Sequence, residues 1–308
     1  MLQVTRHISR TLVIVALLGA GACGSSRQSG ICGDVSPAPT ESGDIAQVEK
    51  DAADAWDGRA DLAKARAAVD LYDKAIRIDP ARSDLRIKGA RAHYFLADDH
   101  LWFDKNVKGD DKAGDEMASH YKAAANLAEM SLGQKYPGFR SKYCARQPFQ
   151  TALEQLDKDS VPAMYWYAAS LSRYALMTSL VEVLNQTDRI KAMMDLIQRL
   201  QPDYWYFAAD RYLGAFYTKI PFPTGDLPLS SKHFDYAIAN APQYLATKVI
   251  YAEMNATKAG NRELFKRLLE EVVAFDVSKA PEIAPENEAE QKKAKYYLEH
   301  IDDMVDAE

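Results

Sequence analysis

The chain has 308 residues, 47% of them hydrophobic and 27% charged, with 38 Lys and Arg against 44 Asp and Glu and a net charge of −6. That is enough apolar material for one large or two small cores, and it excludes disordered, collagen-like and disulfide-scaffold chains. With no basic block, a nucleic-acid face is not expected.

The first residues carry Arg6 and Arg10 ahead of an uncharged apolar run, Thr11–Ala22. That run is too short to span about 30 Å of hydrocarbon but suits the core of a signal peptide. It ends in Ala20-Gly21-Ala22 directly before Cys23. This pattern resembles a bacterial lipoprotein signal over 1–22, with Cys23 lipidated as the new N-terminus; an ordinary cleaved signal with an incidental Cys is the alternative. Gly19-x-Gly21-x-x-Gly24 has the spacing of a dinucleotide fingerprint, but it lies across the cleavage site rather than in a strand–turn–helix unit, and it is discarded. Residues 23–43, rich in Ser, Gly and Pro, read as a flexible lipid-anchored tether. Cys32 and Cys144 remain, either as one disulfide tying tether to body in an oxidising compartment or as two thiols.

From Asp44 the apolar residues recur at three and four spacing, and 44–308 reads as one all-α domain. Ala52, Ala55 and Trp56 open the first helix. Leu62, Ala65, Ala68, Val69, Tyr72, Ala75 and Ile76 mark the second, which Asp79-Pro80 ends. Ser83 or Asp84 caps a third that carries Leu85, Gly89, Ala92, Leu96 and Trp102. Further helices are expected near 113–132, 161–185, 187–200, 203–218, 229–240, 243–259, 261–275 and 286–305. Ala68-x3-Tyr72-x2-Ala75-x4-Pro80 has the spacing of a tetratricopeptide second helix, and Ser230-x3-Phe234-x2-Ala237-x4-Pro242 repeats it; Leu213-Gly214-x2-Tyr217 matches a first helix. The steps from Tyr72 to Tyr121 and from Phe234 to Phe265 are unequal, so a closed bundle of degenerate helix pairs is expected rather than a regular superhelix.

No zinc-protease, P-loop, nucleophile-elbow or paired Cys-x-x-Cys motif occurs in the body, and no catalytic residue, metal or cofactor is assigned. His93, His100 and Asp104 are at helical spacing, but the set is sparse and reads as a polar face. Asp104-x-Asn106-x-Lys108-Gly109-x5-Asp115 has the outline of a calcium loop; Lys108 stands where oxygen is needed, so it reads as an acidic connector. Aromatic crowding carries more. Tyr165, Trp166, Tyr167 and Tyr174 fall on one expected helix, and Tyr204, Trp205, Tyr206, Phe207, Tyr212, Phe216 and Tyr217 on another. Consecutive positions point around a helix, so one buried stripe cannot absorb them all. Either the helices are buried on nearly every side, or Tyr165, Trp166, Trp205, Tyr206 and Tyr212 include the wall of a ligand passage.

Three segments in order, Ala90–Asp98, Met164–Arg173 and Tyr212–Tyr217 followed by Pro221, together with Phe234–Pro242, Tyr251–Glu253 and Phe265, resemble the T-component (TatT-like) family of tripartite ATP-independent periplasmic, or TRAP, transporters. The resemblance covers about residues 44–276. It departs at Phe222–Asp226, which replaces an expected Gly-Gly-rich segment. It implies a periplasmic lipoprotein, and Gly24 and Ser25, with no acidic residue directly after Cys23, point to the outer rather than the inner membrane. Such a protein docks a periplasmic substrate-binding protein, encloses a pore for an apolar or amphipathic ligand, and assembles as a trimer. A lipid or sterol carrier at the outer membrane, or a non-catalytic envelope scaffold, are the rival readings.

Overall fold

The computed structural model describes residues 30–221 and 223–306. Cys23 and the expected signal lie outside them.

An amphipathic helix pair opens the body. Helix α1 (Ile45–Asp57) starts where the Asp44 carboxylate accepts from the N–H groups of Ala46 and Gln47; Asp61 caps α2 (Leu62–Ile78) in the same way through Lys64. Helix α3 (Ser83–Phe95) begins without a side-chain cap and runs into a π-helical stretch, Leu96–Leu101, then α4 (Trp102–Asn106). Helix α5 (Asp111–Lys135) packs between α3 and α8 (Val161–Thr178), with the short α6 (Pro137–Cys144) and α7 (Phe149–Leu153) at its end.

The expected break between helices near residue 186 lies instead at Ser179. Its backbone is extended, and its hydroxyl caps α9 (Leu180–Leu200) through the Glu182 N–H. A Ser N-cap at this point is locally strong and outweighs the apolar periodicity that runs on past it. Next come α10 (Tyr204–Lys219), α11 (Leu227–Asn240), α12 (Ala246–Ile250), a second π stretch at Tyr251–Ala256, α13 (Arg262–Ala274), α14 (Ala284–Glu299) and α15 (Ile301–Met304). No strand occurs among the described residues. Most helices pack on neighbours in the chain, and α14 returns to the π stretch after α3, which closes the array. Arg59 reaches Glu286 at 2.7 Å across this closure.

Small residues set the helix spacing. At Gly214 on α10 a Cβ would lie 2.8 Å from the Phe234 ring of α11, so only glycine allows this approach. Gly133 near the end of α5 makes room for Ile31. That contact corrects the tether expectation. From Gly30 the segment is docked on the body, with Ile31 and Val35 buried in the main core. Arg140 donates to the carbonyls of Ile31 and Gly33 at 2.9 and 2.6 Å, and Cys32 is bonded to Cys144 with a Cα–Cα distance of 5.5 Å. Ser-, Gly- and Pro-rich composition hid two apolar side chains with a groove waiting for them.

Candidate functional site

Two cavities meet inside the ring of helices. The larger, of about 120 Å³, lies between α8, α9, α10 and the second π stretch, and its wall is mainly apolar: Ala169, Leu176, Ile190, Met194, Phe216 and Met254 among others. The smaller, of about 40 Å³, is polar and bounded by α3, the first π stretch, α8, α10 and α14. Tyr94, Tyr165, Arg173, Arg211 and Ile250 border both, so these side chains stand between an apolar room and a polar chamber.

The sequence places four of these side chains through three helices. Tyr94 sits on α3 one turn before Asp98, and its ring meets Trp166 edge-on at 5.5 Å. On α8 the unbroken run Met164–Leu171 is buried on all sides, so Tyr165 can face the cavities while Tyr167 turns to Glu129 at 2.8 Å. Arg173, further along α8, reaches Asp98 at 3.1 Å.

The start of α10 departs from expectation. Trp205, Tyr206 and Phe207 are left-handed, with φ of 46°, 58° and 57°, so they do not lie on a regular helix. Each such residue costs about 1–2 kcal/mol when it carries a Cβ. The turn follows Pro202 and gives the three rings different partners. Trp205 enters the chamber against Trp166 at 5.3 Å, Tyr206 stacks on Tyr244 at 4.9 Å, and Phe207 meets Tyr236. Arg211, one helical turn on, donates to the Tyr206 and Trp205 carbonyls at 3.1 and 3.3 Å and to the Tyr165 hydroxyl at 3.2 Å. The guanidinium therefore braces the turn from inside.

Of the five aromatics expected in a passage wall, Tyr165 borders both cavities, Tyr212 the apolar one, and Trp166 and Trp205 the polar one. Tyr206 borders neither. Its hydroxyl donates outward to Glu282 at 3.0 Å, and burial together with that carboxylate pushes its pKa up to about 12. Its backbone is left-handed, so helical spacing does not set where its ring lies.

The chamber is densely charged. Arg91 lies between the indoles of Trp56 and Trp205, 4.6 and 4.3 Å from their ring centres, and shares Glu286 with Arg59. Lys293 on α14 holds Glu290 at 2.8 Å, Asp98 at 3.1 Å and Asp99 at 3.9 Å. Burial pushes the pKa values of Asp99 and Glu290 up, whereas the Arg173 and Lys293 charges hold Asp98 down against its burial. The three carboxylates lie close enough together to hold a cation, and the Lys293 ammonium already fills that place. None of this was read from the sequence. Arg91, Asp98 and Arg173 sat inside recognised segments, but their burial depends on α14 coming back across the ring.

The weaker motifs disperse. His93 approaches Asp73 and His120, the His100 Nε2–H donates to the Arg59 carbonyl, and Asp104 pairs with Lys108, so His93, His100 and Asp104 form no ligand set. Lys108 bonded to Asp104 also occupies the would-be calcium loop.

No curated protein matches the chain. A family model does: the TRAP transporter T-component model matches residues 59–305, which takes in every cavity-lining side chain named above except Trp56. The order of segments first recognised in the sequence, the closed helical array and this match over most of its length agree, and the chain belongs to the TRAP transporter T-component family.

Proposed function

We propose that this protein docks a periplasmic substrate-binding protein and passes an apolar or amphipathic ligand through the two adjacent cavities. Family membership carries association with a TRAP transport system and an envelope location. Among the described residues no helix is long and apolar enough to cross a membrane. Attachment through a lipid on Cys23, more at the outer membrane than the inner, is part of the proposal. So is assembly into trimers.

The observation that carries the reading is an apolar cavity and a polar chamber set side by side with five wall residues in common. A sealed hydrophobic core has no such gradient, and ligand sites combine apolar walls with a few placed polar groups. The mouth adds support for docking. Leu180 is 69% exposed and Val181 66%, with Leu176 and Leu184 about half exposed, and Leu176 and Val183 also border the apolar cavity. Such a cluster beside a cavity mouth suits a partner surface that closes over it. An outer-membrane lipid carrier would use the same cavity without the partner.

The test is native mass spectrometry of protein isolated from its own envelope. The wild type is expected to retain a small molecule, and Ala215→Phe, which fills the apolar cavity from α10, to lose it. Retention unchanged in a folded Ala215→Phe protein would place the ligand elsewhere and overturn the reading. Cys23→Ala is expected to release the protein into the soluble periplasm.

A further inference from the structure

Two histidines away from the cavity walls face each other. His93 lies on α3 and His120 on α5, and their Nδ1 atoms are 2.7 Å apart. The opposite edge of each ring meets a carboxylate. The His93 Nε2–H donates to both oxygens of Asp73 on α2, at 3.2 and 3.3 Å, and His120 Nε2 stands 3.6 Å from Glu116, one turn back on α5. Arg66 on α2 holds that Glu116 in turn. His93 is buried, but the Asp73 and Glu116 side chains are 35% and 36% exposed, so solvent reaches the pair from their side.

A proton count shows what the pair lacks. A carboxylate only accepts, so an imidazole nitrogen beside it has to donate, and that puts the single proton of each neutral ring on Nε2. Both Nδ1 lone pairs then point at one another across 2.7 Å, where they repel. Moving one proton into the Nδ1–Nδ1 contact relieves this but leaves His120 Nε2 bare against Glu116. Each neutral arrangement thus sets two acceptors face to face. A cation between the Nδ1 atoms satisfies all four ring nitrogens at once, and Asp73 and Glu116 against Arg66 leave one net negative charge around it.

The same pattern surrounds histidines that bind metals: the nitrogen not on the ion donates to a carboxylate, which fixes the ring and raises its basicity. Imidazole suits zinc, copper and nickel, whereas calcium and magnesium take oxygen. Two nitrogens on one tetrahedral zinc, with bonds of about 2.0–2.1 Å, lie about 3.3 Å apart. From 2.7 Å the rings therefore part by roughly 0.6 Å to admit it, within reach of small side-chain rotations.

We propose that His93 and His120 bind one divalent transition-metal ion through their Nδ1 atoms, with Asp73 and Glu116 orienting the rings. Two protein ligands leave the other positions to water, so the ion is exchangeable and the fold does not depend on it. It ties α3 to α5 where the next residues, Tyr94 and Tyr121, meet edge-on at 5.4 Å. Tyr94 borders both cavities, so the ion stiffens their wall from outside.

Zinc chloride titrated by calorimetry into the full chain, first stripped with chelator, tests this. One zinc per chain is expected, with a melting temperature that rises with free zinc. His93→Gln and His120→Gln are each expected to abolish uptake, and Asp73→Asn, which keeps both ligands, to weaken it about 10–100-fold. Uptake unchanged in folded His93→Gln and His120→Gln proteins would place the ion elsewhere and overturn the site. No uptake by the wild type would mean that the pair shares a proton only, and would overturn it equally. If the variants do not fold, proton–nitrogen correlation spectra of the wild type decide: zinc is expected to shift two histidine Nδ1 resonances and leave the matching Nε2 atoms protonated. Shifts at Nε2, or none, would reject the proposal.

Discussion

The Lys293 ammonium sits 3.1 Å from the Asp98 carboxylate, a buried pair whose partners are 195 residues apart in the chain. It joins the last long helix to the π stretch after α3 and so fastens the ring that encloses the chamber.

Replacing Lys293 with Met leaves Asp98, Asp99 and Glu290 buried together without their cation. The expected loss is about 3–5 kcal/mol at neutral pH, measured by denaturant unfolding. The pH dependence has a defined sign. Asp98 has its pKa lowered in the folded wild type, so its stabilisation is present above the ordinary carboxylate pKa and fades as pH falls through the lowered folded value. Without Lys293 the folded carboxylates take up protons more readily, and the variant gains on the wild type as the solution is acidified. A gap between the two that stays constant from pH 7 to about pH 4 would contradict this account.

Cys32→Ser frees the segment that begins at Gly30. The bond closes a long loop, its cysteines 112 positions apart, and removing such a link costs about 2–5 kcal/mol. Ile31 and Val35 then hold the segment by packing alone. Thermal melting is expected to shift down, and limited proteolysis to cut within residues 30–43 under conditions where the wild type resists. Reductant should reproduce both effects on the wild type. An unchanged protease pattern would mean that packing suffices.

Gly214→Ala places a methyl group against Phe234, which is fully buried between α10, α11 and the second π stretch. Overpacking of this kind costs about 1–3 kcal/mol. Combining it with Phe234→Leu should recover part of the loss, and the double-mutant cycle reads the coupling directly.

Trp205 is only half-buried, so Trp205→Ala is expected to cost less than the 3–5 kcal/mol or so of a fully buried large aromatic. Ligand retention should fall by more than the folded fraction does, because the indole walls the chamber and backs Arg91. A large drop in melting temperature with unchanged ligand per folded molecule would make Trp205 plain core.

The sequence by itself determined the helical class, the tetratricopeptide-like pairing and the family. Periodicity and small–aromatic spacing are local properties, and Ala68, Tyr72 and Ala75 are all buried, as that spacing requires. It also marked Tyr165, Trp166 and Trp205 as more aromatic surface than one stripe can bury. The tertiary structure decided the rest. The left-handed turn at 205–207 depends on Arg211 bonding back to its carbonyls, and the docking of Ile31 on the groove over Gly133. The charged chamber exists only because α14 closes the ring and brings Glu286, Glu290 and Lys293 onto Arg91, Asp98 and Arg173. An isolated arginine on a helix reads as a solvent-facing residue; whether it ends as a buried charge is set by what the chain brings against it from far away.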